Sequence, residues 1–181
     1  MKNILYLCMF LMVGTVAAQK YYTKTGTTYF KASVAAFEPV EAKSNSTTAV
    51  LRADTGELAA LLFIKSFHFR IALMEEHFNE NYMDSDKYPK ATFKGKLAGF
   101  TMADVSSTAK EYDLAGTLTV RGQSKEIATK AKVSKDGDKI IIASLFSVKP
   151  QDFGIEIPSI VREKIAKEIN ITLNYELVEK K

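Results

Sequence analysis

Residues 112–133 read YDLAGTLTVRGQSKEIATKAKV, and this stretch decides the fold. Tyr112, Leu114, Gly116, Leu118 and Val120 alternate with Asp113, Ala115, Thr117, Thr119 and Arg121. After Gly122-Gln123 the alternation restarts, with Ile127, Thr129, Ala131 and Val133 set against Glu126, Ala128, Lys130 and Lys132. A period of two on both sides of a short Gly-containing break is a β-hairpin with one apolar and one polar face.

The same pattern extends in both directions. Upstream, Ala91, Phe93, Gly95 and Leu97 alternate with Thr92, Lys94 and Lys96. Downstream, Lys135-Asp136-Gly137-Asp138 reads as a hairpin turn into a strand over 140–148, and Ile169, Ile171, Leu173, Tyr175 and Leu177 form the last alternating strand. Near the start, Tyr22, Lys24, Gly26, Thr28, Phe30, Ala32 and Val34 share one parity. Residues 43–48, KSNSTT, read as a loop, residues 49–54 as a short strand, and Asp54-Thr55-Gly56-Glu57 as its turn. Residues 58–71 are apolar on both parities, with Leu61, Phe63, Phe67 and Phe69 on one and Leu62 and Ile64 on the other. This predicts a strand covered on both faces.

Two segments depart from period two. Residues 73–83 place Leu73, Met74, His77, Phe78 and Tyr82 on one side of a helix. A second helix is predicted from Pro158 to about Glu168, with Pro158 in its first turn and Ile160, Val161, Ile165 and Ile169 as its apolar stripe. The expected fold is therefore all-β: about eight antiparallel strands closed into a barrel, with two short helices at its ends. Closure removes the open edges that a long antiparallel sheet leaves. A two-sheet sandwich is the competing architecture.

Composition narrows the function. With 46% hydrophobic and 25% charged residues, the chain of 181 residues is an ordinary globular protein rather than a disordered one. The formal net charge of +4 is too mild and too evenly spread to indicate nucleic acid. Lys2, the apolar run over 4–13 and Val16-Ala17-Ala18 read as a secretory signal peptide over 1–18, cleaved after Ala18. Export to the periplasm follows as the expected location, with 19–181 as one domain. Cleavage removes the only cysteine, Cys8, so stability would owe nothing to disulfides.

Several motifs together resemble a known family. Phe67-His68-Phe69 leads into Met74-Glu75-Glu76-His77-Phe78-Asn79-Glu80, and residues 85–95 read SDKYPKATFKG. Residues 116–125, GTLTVRGQSK, and Asp152-Phe153-Gly154-Ile155 complete the set. The stretch from about 48 to 178 resembles the YceI family of periplasmic proteins. The resemblance implies a lipocalin-like barrel with a deep apolar cavity that binds an isoprenoid lipid, such as a quinone or prenyl chain, or a fatty-acyl derivative. The chain departs from the family on its N-terminal side: it has no Trp, and residues 29–42 read YFKASVAAFEPVEA.

In such a barrel the expected inward, ligand-facing residues are Phe30, Phe63, Phe67, Phe69, Phe93, Leu97, Leu114, Leu118, Val120, Phe146, Leu173 and Tyr175. The alternative is a core filled by its own side chains. His68 and His77 invite comparison with a metal or acid–base pair, but no third His and no nucleophile motif accompanies them. No catalytic residue, metal or cofactor is expected. Lys87, Lys90, Lys94 and Lys96 read as a solvated outer face, with contact to anionic head groups as the alternative. The expected function is lipid carriage or storage without catalysis, with transient contact at a membrane surface, and a homodimer is left open. The competing classes are a lipid-modifying enzyme and an interaction protein whose cavity is incidental.

Overall fold

The computed structural model describes residues 19–34 and 37–180; the signal-peptide reading and Cys8 lie outside the described residues. The strands are β1 (Lys20–Ser33), β2 (Glu41–Arg52), β3 (Glu57–Phe63), β4 (His68–Phe69), β5 (Lys90–Leu97), β6 (Lys110–Val120), β7 (Gln123–Asp136), β8 (Lys139–Val148) and β9 (Ile165–Glu179). One short helix, α1 (Ala72–His77), runs directly into a wider π turn over Phe78–Tyr82.

All pairings are antiparallel, in the order β1-β9-β8-β7-β6-β5-β3-β2, and β2 returns to β1, so eight strands close a barrel. β4 is the extra strand: it pairs with β2 at Ala42↔Phe69 and Lys43↔His68, beyond the point where β3 leaves β2. The deciding hairpin pairs in register from Lys110↔Val133 to Val120↔Gln123. Its two-residue turn holds Arg121 and Gly122 at φ 48° and 73°, the positive pair that matches the twist of the flanking strands. Outward positions on this side are exposed charges, among them Lys94, Lys96, Asp113, Lys130 and Lys132, while the apolar residues point inward. That is the reverse of a lipid-embedded barrel.

Four sequence expectations are corrected. The predicted helix over 158–168 is only a single 3₁₀ turn, Ser159–Val161, and the chain is already in β9 at Ile165, paired to Ser33. Ile165 and Ile169 fit a stride of four, but they fit the period of two shared with Ile171 and Leu173 equally well. Pairing to β1 and β8 decides between the two. The 43–48 loop is the middle of β2. The run over 58–71 is broken by a 3₁₀ turn, Ile64–Ser66. The break resets parity: Leu58 and Leu62 are buried before it, Ile64 at its first residue and Phe67 after it, whereas Phe63 is 51% exposed under Lys90.

The fourth correction concerns β1. Strict alternation groups Tyr22 with Phe30, yet the residues facing in are Tyr21 and Thr23, then Gly26, Thr28 and Phe30. Lys24 and Thr25 form a bulge, and Asn45 and Ser46 form another at the same height on β2, between Gly26↔Thr47 and Thr28↔Ser44. Each bulge adds a residue and flips the strand's facing parity. These paired bulges mark a waist. On one side lies a tightly packed cluster of Leu51, Leu97, Val133, Ile140, Ile142 and Leu177. On the other, Phe30, Ala32, Ala42, Leu62 and Phe67 form a separate cluster.

Candidate functional site

Above the waist the barrel is hollow. A cavity of about 390 Å³ opens there, within the range of small-molecule sites. Its walls come from the inward residues of β1 to β3 and β5 to β9, from β4 and the helical segment after it, and from the connection between β8 and β9. The two elements at the mouth reach it by different means. The α1 segment presents Met74, Phe78 and Tyr82, and is tied to β4 by Glu75, whose Oε2 accepts the Phe69 N–H at 3.1 Å. The β8–β9 connection presents Pro150, Phe153, Ile155 and Ile157, and the Arg121 guanidinium donates to its Gly154 carbonyl.

Aromatic packing stiffens one wall. Phe30 meets Phe67 edge-on at 5.0 Å and stacks against Phe78 at 5.4 Å, while Phe69 lies 5.1 Å from Phe78. Such contacts favour fixed ring positions beyond simple area burial. The adjoining wall, from β9 and β8, is mainly aliphatic: Ile169, Ile171, Leu173 and Val148, with Phe146 among them, and Ile171 pairs directly with Phe30. These inward residues are only half-buried, although they point to the barrel axis. That incomplete coverage is the signature of a hollow, because equivalent positions below the waist are fully covered.

The ionisable groups on the lining are few. Lys164, His77 and Tyr82 lie on the lining towards the mouth and Tyr175 at the floor, and among the described residues no carboxylate lines the cavity. His68 faces away: its Nδ1 lies 3.7 Å from Glu75 Oε2, and its side chain is exposed. The two histidines are therefore on opposite sides of the wall. Among the described residues no group of three or more His, Cys, Asp or Glu is arranged to hold a metal. The arrangement can solvate a long apolar chain.

Of the residues expected to face the ligand, Phe30, Phe67, Phe69, Phe93, Leu114, Leu118, Val120, Phe146, Leu173 and Tyr175 line the cavity. Phe63 and Leu97 do not. Phe63 points outward for the parity reason given above, and Leu97 is fully buried in the packed cluster below the waist. Sequence reading missed Ile169 and Ile171, which share the parity of Leu173 and Tyr175, and Met74 and Phe78, which sat on the predicted helical face. It also missed Phe153 and Ile155, whose loop carries no periodicity.

Against known proteins, residues 20–177 match the family model described as the YceI-like domain. Solved structures with the same fold include a polyisoprenoid binding domain from Saccharophagus degradans implicated in plant cell wall breakdown. It has a TM-score of 0.77 and 14% identity, over 90% of this chain and 99% of that one. BcnA from Burkholderia cenocepacia aligns with a TM-score of 0.67 and 16% identity, over 84% and 96% of the two chains. A Campylobacter jejuni YCEI protein aligns at 0.57 and 22% identity, over 80% and 87%. No curated protein matches the sequence.

Proposed function

The chain belongs to the YceI-like family, and from that premise we propose that it is an exported, non-catalytic protein that carries or stores an isoprenoid or other long-chain lipid in the hollow end of its barrel. The observation that carries this reading is the cavity itself: about 390 Å³ with an almost wholly apolar lining and a mouth at one end. A cavity of that polarity gains by exchanging water for an apolar guest.

Energetics favour carriage over permanent capture. Each methylene removed from water contributes ~0.8 kcal/mol, which over several isoprene units would exceed any measured affinity. A membrane lipid, however, starts among tails as apolar as the cavity wall. Transfer is then nearly balanced on apolar area, so cargo can be released as well as taken up. Catalysis would need a convergent polar cluster beside the bound chain, and the non-catalytic reading is supported by a lining that is almost wholly apolar.

Export rests on the signal-like residues 1–18 alone. Transient contact with a membrane surface is supported by exposed apolar side chains at the mouth end, Val34, Phe37, Ile71, Leu73 and Ile160.

The test is Leu118→Arg. Leu118 is 9% exposed and lines the cavity, so a cation there would have to sit among apolar side chains. Mass spectrometry of the purified variant should detect no retained lipid, while far-ultraviolet circular dichroism keeps the strand signal. Lipid retained at the wild-type level would overturn the reading.

A further inference from the structure

The cavity floor differs in chemistry from its walls. At the waist, Thr28, Thr47 and Tyr175 line the cavity, and they are 7%, 1% and 3% exposed. Thr28 and Thr47 share a hydroxyl–hydroxyl hydrogen bond of 2.8 Å. The Tyr175 hydroxyl faces both threonines but is loosely held, with Thr28 Oγ1 at 3.5 Å, well beyond the usual O–H···O distance. A buried hydroxyl in this position is costly unless something accepts its proton.

The ring is placed there by its neighbours. Gly26, at the bulge, lies under it; a Cβ on Gly26 would come within 2.6 Å of Tyr175 Cδ1. The paired bulges on β1 and β2 turn Thr28 and Thr47 inward to meet it. Among the described residues no charged side chain reaches the floor, since Lys164 belongs to the mouth. Burial also holds the Tyr175 hydroxyl in its protonated, donating form.

We infer that this hydroxyl floor receives a neutral hydrogen-bond-accepting oxygen carried by the lipid, such as a carbonyl, ether or alcohol oxygen, donated to by Tyr175. The inference rests on the lipid-binding reading above and adds the chemical class of the group that is seated deepest. An anionic group would lose its hydration at the floor without meeting a cation, so a carboxylate or phosphate stays at the mouth, within reach of Lys164.

The experiment uses three C18 ligands of matched chain: oleyl alcohol, oleate and cis-9-octadecene. Affinities are read by displacement of the neutral dye N-phenyl-1-naphthylamine from wild type, Tyr175→Phe and Thr47→Val. Tyr175→Phe should weaken oleyl alcohol by about 3- to 10-fold and leave octadecene and oleate unchanged. Thr47→Val, which removes a floor hydroxyl at near-constant volume, should move the alcohol in the same direction by less. An unchanged alcohol-to-alkene ratio in both variants overturns the inference while lipid binding stands. Equal losses for oleate and alcohol overturn the neutral-end assignment. If none of the three displaces the dye from wild type, the lipid-binding reading falls and takes the inference with it.

Discussion

Below the waist of the barrel, Leu51, Leu97, Ile140 and Leu177 have no exposed surface; above it, Ile169, Ile171, Leu173 and Phe146 face the same axis and remain half-covered. The same strands build both regions. β9 alone contributes Leu177 to the packed end, Tyr175 to the waist, and Leu173, Ile171 and Ile169 to the hollow end. Residue type does not separate the two regions, since both use aliphatic and aromatic side chains. What separates them is what lies across the axis: in the packed end the inward side chains of the barrel strands pack together with Phe100 and Tyr112, and in the hollow end they leave a cavity of about 390 Å³ between them. Stability and binding are thus assigned to different ends of one sheet.

The sharpest way to break this comparison is to remove methylenes from each end. Leu177→Ala in the packed end should cost about 2–5 kcal/mol, seen as a large drop in the denaturant midpoint, because the surrounding side chains cannot collapse into the gap. Ile171→Ala in the hollow end should cost only about 1 kcal/mol in lipid-free protein, since much of that side chain already faces the cavity. It should instead weaken lipid retention. Equal losses of stability at the two sites would mean that the upper cavity closes in solution.

Alkaline titration sharpens the role of the tyrosines. Burial, followed by its 2.5 Å hydrogen bond to Glu41 Oε2, pushes the Tyr29 hydroxyl up to about 12. A tyrosine whose folded-state value is raised contributes its full stabilisation below about pH 10 and loses it as the pH climbs through the folded value. The β1–β2 side should therefore weaken between about pH 10 and pH 12, and Tyr29→Phe should flatten that part of the curve of stability against pH. Burial shifts Tyr175 in the same direction, so hydrogen bonding from the floor should persist beyond pH 10. The smallest effect is expected at the exposed Lys65–Asp86 pair, 2.6 Å apart near the mouth: Lys65→Ala should change the unfolding midpoint by the equivalent of about 0.5 kcal/mol or less.

Much of the barrel was legible because alternation is a local property. The hairpin over 112–133, the turn at Gly137 and most inward positions of β5 to β9 follow from side-chain parity alone. Three things were not local. The bulges at Lys24-Thr25 and Asn45-Ser46 interrupt parity, and the single Gly26 beside the first does not by itself place either one. The 3₁₀ turn over Ile64–Ser66 hides inside an apolar run and misassigns Phe63. The apolar stride that suggests a helix over 158–168 is taken up by strand pairing. Whether the barrel was hollow was also beyond parity, because inward-facing describes Leu97 and Leu173 equally, and only the shape of the closed sheet separates a packed residue from a lining one.

The central claim is that the hollow end holds a lipid. Its most direct test is organic extraction of the protein purified from the cells that make it, followed by quantitative lipid mass spectrometry. The account predicts one class of long-chain lipid at close to one molecule per chain, lost in Leu118→Arg and kept in a variant of the outer face such as Lys94→Ala. Wild-type protein that yields no lipid above the level extracted with Leu118→Arg would contradict it.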